Sequence, residues 1–135
     1  MKELCRISGI RWIRILYCYP EEIDDNLIQV MKEEPKICHY VDLPIQHANT
    51  DILKRMGRRT SKEQLEEIIG KLRREIPDIA IRTTLITGFP GETEEQHQEL
   101  VDFVDEMELT ASVCLPIHRR RILRRQKWKD RFLKR

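Results

Sequence analysis

Apolar and polar positions alternate along this chain with two different periods. Three short runs are apolar, β-branched or aromatic: RWIRILYC (residues 11–18), ICHYVDLPI (37–45) and IAIRTTLITGF (79–89). Each is bounded by Pro or Gly, as buried strands are. Between them the apolar spacing becomes helical. Over residues 21–34, Ile23, Leu27, Val30 and Met31 share a face, and Pro35 follows. Over residues 61–76, Leu65, Ile68, Ile69, Leu72 and Ile76 form a stripe. Ser61 with Gln64 matches a capping box, and Pro77 stops the pattern. Over residues 93–107 the stripe is Leu100, Phe103, Val104 and Met107. Thr93 with Gln96 repeats the capping box, and Glu94 and Glu95 fill the first turn, where the helix dipole favours acids. A helix tail over residues 4–10 is expected to lead into the first strand. The order strand, helix, strand, helix, strand, helix predicts an α/β fold with about three parallel strands and flanking helices.

Composition narrows this picture. A chain of 135 residues is one domain or part of one. Its hydrophobic content of 40% supplies a core. No apolar run reaches the ~18 residues needed to span a bilayer, and MKELCRISGI lacks the apolar segment of a signal peptide. The expectation is a cytoplasmic protein without a membrane partner. Cys5, Cys18, Cys38 and Cys114 form no CxxC or CxxxCxxC, so isolated reduced thiols are expected rather than disulfides or a metal site.

In parallel α/β folds, ligands bind beyond the carboxyl ends of the strands. The unusual residues gather there. The first run ends in Tyr17, Cys18, Tyr19 and Pro20, the second in Pro44, Ile45, Gln46 and His47, and the third in TGFPGE, residues 87–92. In that last stretch Gly88 allows close backbone approach, Pro90-Gly91 makes a tight turn, and Glu92 opens a helix. These residues fit a ligand-binding turn or a plain strand-to-helix connection. His47 reads as a polar rim residue or a ligand, and Cys18 as strand packing or a nucleophile. Gln46 could read a ligand edge with its amide. Asp42 and Arg82 lie inside strands, where charges need partners: either each other, or a ligand in a polar interior.

RWIRILYCYPEEI, YVDLPIQHANTDILKRMGRRTS and IRTTLITGFPGETEEQ resemble the central region of the radical S-adenosylmethionine methylthiotransferases. The LYCYP and PIQH forms are most similar to the branch that modifies a small-subunit ribosomal protein, with the tRNA-modifying branch as the alternative. The resemblance spans roughly residues 3–110. It implies a partial (β/α) radical S-adenosylmethionine barrel, here strands three to five of six. It also implies S-adenosylmethionine and two 4Fe-4S clusters as cofactors. The implied chemistry is radical abstraction of hydrogen from the β-carbon of an aspartate in the ribosomal protein, followed by methylthio insertion; such a step needs a radical cofactor. The cluster-binding CxxxCxxC of the family is absent from this sequence, as are the family's outer domains, so the chain alone is expected to be inactive, with the remainder of the enzyme missing. By the resemblance, Gly88, Glu92, Gln46, His47, Arg82 and Thr83 are the pocket-facing candidates, with no catalytic residue and no metal ligand assigned. The superfamily pattern GxIxGxxE is met loosely, by Ile86 and Gly88, with Thr84 in place of the first Gly and Glu92 one position late.

Charge divides the chain. Residues 1–110 carry 15 Lys and Arg against 22 Asp and Glu, whereas residues 111–135 carry 10 against 1. The basic stretch PIHRRRILRRQKWKDRFLKR begins where the family enters another strand, of the type RLGVFAYS. One reading is an arm that binds RNA phosphates non-specifically through residues 119–135, which would make the chain an RNA-binding module. The other is a reading frame broken near Thr110. Permitted codons for residues 122–135, shifted by two bases, read SPAAKMERQISEE, and the preceding stretch reads RLFAY in the other shifted frame. The expected organisation is therefore a barrel segment over 1–110 and a basic, frameshifted tail over 111–135, disordered or irregularly helical.

Overall fold

The computed structural model describes residues 1–117. Residues 118–135, with all of the predicted RNA arm (119–135) and most of the shifted-frame stretch (111–135), lie outside the described residues.

The elements, in order, are α1 (Lys2–Cys5), β1 (Ile13–Ile15), a 3-10 turn (Pro20–Glu22), α2 (Asp25–Glu33), β2 (Ile37–Asp42), α3 (Thr50–Arg55), α4 (Lys62–Glu75), β3 (Ala80–Thr87), α5 (Glu94–Glu106) and β4 (Ala111–Pro116). The four strands form one parallel sheet in the order β1-β2-β3-β4. The helix starts follow local chemistry. Ser61 and Thr93 close complete capping boxes with Gln64 and Gln96, and Asp24 accepts from the Leu27 amide. Each satisfies backbone donors that a helix leaves unpaired at its first turn.

Two features go beyond the sequence reading. The sheet has four strands rather than three: β4 begins at Ala111, inside the stretch assigned to an irregular tail, and pairs with β3 from Arg82↔Ala111 to Thr87↔Pro116. Parallel pairing is made by backbone groups, so the outer edge of β3 finds a partner whatever the side chains of β4. All six β4 residues are exposed. Secondly, α3 was not anticipated, because its six residues are too few to show a helical period.

The two faces of the sheet differ. Ile81, Thr83 and Leu85 of β3 are buried, and Val41, Leu43 and Ile45 alternate to the same side. They join one core with Met31 of α2, Leu65, Ile69 and Leu72 of α4, and Leu100 and Phe103 of α5. Arg82, Thr84 and Ile86 point to the opposite, more open face, which Asp42, Pro44 and Gln46 share by the same alternation. Among the described residues, β1 and β4 each pair on one side only, and no helix is long and apolar enough to cross a membrane.

Candidate functional site at the carboxyl ends of the strands

A cavity of about 300 Å³ opens at the carboxyl ends of β1, β2 and β3. Tyr17, Cys18, Tyr19, Pro44, Gln46, Arg58 and Thr84 line it. Two of its walls sit in left-handed backbone, Tyr17 at φ 56° and Gln46 at φ 71°. Such conformations cost about 1–3 kcal/mol in a non-glycine residue and persist only where the surroundings impose them. At Gln46 the imposing bonds are visible. Its amide donates to Thr84 O at 3.0 Å and its carbonyl accepts from Ile86 N at 2.7 Å. The backbone thus keeps its pairing to β3 while the side chain forms part of the cavity wall. Arg58 reaches in from beyond α3, donating to Pro44 O and standing 5.0 Å from the Tyr19 ring centroid.

Cys18 lines this cavity as a thiol. Burial, and then the charge of Glu22, push its pKa up, which leaves it a poor nucleophile. The packing reading of Cys18 therefore fits its surroundings better than the nucleophile reading.

Glu92 and His47 lie elsewhere. Both side chains are fully buried, with His47 Nε2 3.4 Å from Glu92 Oε1. His47 Nδ1 accepts from the Asn49 amide at 3.0 Å, so Nε2 carries the proton and donates to Glu92. His97 Nδ1 stands 3.1 Å from the same Glu92 oxygen, and the Phe89 amide donates to the other at 2.7 Å. Burial raises the Glu92 pKa, but the hydrogen bonds from His47, the Phe89 amide and His97 outweigh it and hold the carboxyl below its ordinary range.

That direction makes a prediction. A carboxyl whose folded pKa is lowered stabilises the fold fully above its unfolded pKa of about 4.3, and the contribution is lost as pH falls through the folded value. The unfolding midpoint of the wild-type chain should therefore fall more steeply than that of Glu92→Gln as pH drops below about 4.3, the two converging in acid. Parallel acid limbs in denaturant titrations would contradict the assignment.

The remaining candidates separate by face. Arg82 Nη1 donates to Asp42 Oδ1 at 2.7 Å, an interstrand pair on the open face. The hydrogen bond to the Asp42 carboxylate raises the Arg82 pKa further above its already high value. Thr83 is on the covered face, 1% exposed, donating to Leu43 O at 2.8 Å. It is Thr84, one residue on, that lines the cavity, because successive strand residues point to opposite faces. Gly88 (φ 68°) ends β3 and enters the 88–92 turn. Of the six candidates, Gln46 alone lines the cavity; His47, Gly88 and Glu92 build the neighbouring loops.

Sequence reasoning missed Thr84, Asn49, Arg55 and Arg58. The last three belong to α3 and its flanks. A signal was available: Asn49 as an N-cap and Gly57 just past the end bracket the segment, and both play those parts.

Among the described residues, no three His, Cys, Asp or Glu side chains converge so that they could hold a metal ion, and the four thiols are separate. An iron–sulfur cluster, which needs several Cys thiolates, therefore does not fit the described residues of this chain. S-adenosylmethionine fits better, since the cavity offers aromatic rings, an amide and a guanidinium.

A parallel sheet with helices over one face and a ligand-sized cavity at its carboxyl ends is the arrangement of a barrel segment. The profile of the Radical SAM superfamily matches residues 1–104, and the chain belongs to that family. Its relatives include the ribosomal protein uS12 methylthiotransferase RimO of Lachnoclostridium phytofermentans, 68% identical over 107 residues that cover 79% of this chain and 24% of that protein. The proteins of the same name from Geobacter sulfurreducens and Desulfitobacterium hafniense are 58% identical over 106 residues and 57% over 107. These matches cover 78% and 79% of this chain and, in each case, 24% of the relative. The chain therefore spans about a quarter of the length of these curated relatives.

Proposed function

We propose that residues 1–110 form the middle of the S-adenosylmethionine-binding barrel of an enzyme that methylthiolates ribosomal protein uS12 at an aspartate β-carbon, working in the cytoplasm. The observation that carries this reading is the 68% identity over 107 residues to an enzyme of that name. The single-sided pairing of β1 and β4 supports it, since a longer barrel would continue at those edges. Tyr17 and Tyr19 would flank the cofactor, Gln46 would bond its polar edge, and Arg58 would supply a cation. When bound together with its cluster, the cofactor supplies radical abstraction of hydrogen from an unactivated carbon. This chain's part is to bind, orient and shield it. The cluster itself does not fit the residues described.

A transplant tests this. Residues 3–109 replace the matching segment of the L. phytofermentans enzyme, and the hybrid is expressed in cells lacking their own uS12 methylthiotransferase. The expected result is uS12 heavier by one methylthio group. Modification of tRNA instead would assign the other substrate branch, and modification of neither would overturn the proposal.

We further propose that residues 110–135 are translated out of frame. One base added before the Thr110 codon lets permitted codons for all of these residues read DRLGVFAYSPEEDTPAAEMERQISEE. A single shift thus accounts for the whole stretch, where the shorter readings needed two. The family profile supports this, since it matches residues 1–104 and the basic stretch lies beyond that span. The competing reading, a selected RNA-binding arm, predicts that binding of an RNA oligonucleotide depends on residues 119–135 and weakens steeply with salt.

A further inference from the structure

The turn at residues 88–92 and the first turns of α5 are held by one neighbouring segment, residues 46–58, through three separate links, two to the turn and one to the helix. At the segment's start, His47 donates to the buried Glu92. At the N-cap of α3, Asn49 Oδ1 accepts from Gln96 Nε2 at 3.3 Å, and Asn49 Nδ2 donates to Glu99 Oε2 at 2.6 Å. At the end of α3, one guanidinium spans two consecutive carbonyls: Arg55 Nη1 donates to Gly91 O at 3.1 Å and Nη2 donates to Pro90 O. Its carbon also stands 5.3 Å from the Phe89 ring centroid. The same segment supplies Gln46 and Arg58 to the cavity.

We infer that Arg55 is a positioning residue: it clamps the 88–92 turn to α3 and thereby fixes the turn relative to the cavity wall made by Gln46 and Arg58. Gly91 is the complementary half of the clamp. A Cβ built on Gly91 would stand 2.6 Å from Arg55 Nη2 and 3.3 Å from Nη1, so side-chain bulk there would displace the guanidinium. This requirement adds to the left-handed φ of 73°. The link is bidentate, with two donors in a fixed planar fork meeting two carbonyls. A lysine ammonium has no such fork. The clamp is a reading of geometry alone; its importance to a ligand rests on the cavity being the cofactor site proposed above.

The test separates the two. In the full 135-residue chain, amide hydrogen exchange is followed at Phe89, whose N–H donates to Glu92 Oε2, at Glu92, whose N–H donates to Phe89 O, and at α4 as an internal control. Arg55→Ala should speed exchange at Phe89 and Glu92 by about tenfold while α4 is unchanged. Arg55→Lys should fail to restore protection. Gly91→Ala should loosen the same amides, and by less once Arg55 is already alanine, because the clash partner is gone. Unchanged turn amides, full rescue by lysine, or strictly additive effects of the two substitutions would overturn the clamp. In the hybrid enzyme, Arg55→Ala should raise the KM for S-adenosylmethionine more than it lowers kcat. A hybrid inactive even with Arg55 intact counts against the functional reading and leaves the exchange result to decide the clamp.

Discussion

Replacing Phe103 with alanine is expected to lower the stability of the chain by about 3–5 kcal/mol. Phe103 is 0% exposed, in the same core cluster as Leu100, Ile81, Leu85 and the α4 stripe. Truncation removes the transfer energy of the ring and leaves a cavity that a close-packed interior only partly closes. Small domains have a total stability of about 5–15 kcal/mol, so the loss is a large fraction of the whole. α5 depends on this one ring more than α4 depends on any single residue. Its fully buried positions are Leu100 and Phe103, whereas α4 buries Leu65, Ile69 and Leu72. Urea unfolding followed by circular dichroism reads the effect. A change below about 1 kcal/mol, the usual range of surface substitutions and of volume-conserving swaps, would mean that α5 does not pack as described.

The second large effect is expected at β4. Register places Ser112 beside Thr83, Cys114 beside Leu85 and Pro116 beside Thr87, on the face that the helices cover. Val113 and Leu115 fall opposite, beside Thr84 and Ile86, and are 40% and 51% exposed. The apolar residues of β4 are thus one position out of phase with the sheet, an error that sends a strand's whole apolar set to the wrong face. The alternative frame proposed above would change this phase. In that frame leucine, valine and alanine would stand at the positions of Ser112, Cys114 and Pro116, on the helix side of the sheet, and the proline would be gone. Full burial of a leucine or valine side chain is worth about 1.5–3 kcal/mol, an upper bound at this exposed sheet edge. A gene carrying the extra base before the Thr110 codon should yield a chain with a clearly higher urea midpoint. The double substitution Ser112→Leu with Cys114→Val should recover part of that gain without touching the frame. No gain from either would count against both the register and the frame reading.

The phase error at β4 also shows where sequence reasoning succeeded and failed. Long helices with strong caps were legible: Ser61 and Thr93 bond as their capping boxes predicted. Strand interiors were legible from β-branched runs, and the Asp42–Arg82 pair is the interstrand partner that two strand charges require. The strand β4 was not legible because its side chains argue against burial, and only the exposed ladder of β3 recruits it. Of the residues singled out from the sequence, Gln46 lines the cavity and Thr83 faces the covered side of the sheet. Thr83 and Thr84 are indistinguishable by composition, and one residue of strand register separates a core hydroxyl from a cavity wall. Arg55 and Arg58 were hidden because their contacts run to residues 36 and 14 positions away in sequence, to backbone carbonyls that no pattern marks.

The cavity proposed above for S-adenosylmethionine and its two left-handed rim residues lie at one end of the sheet, in a chain that belongs to the radical SAM family. The most direct measurement is steady-state kinetics of uS12 methylthiolation by the hybrid enzyme carrying residues 3–109, with Gln46→Ala and Arg58→Ala introduced separately. Each substitution should raise the KM for S-adenosylmethionine by about tenfold, the loss of one charge-assisted or well-aligned hydrogen bond, with a smaller change in kcat. A hybrid whose KM is unmoved by both would contradict the assignment of this cavity to the cofactor.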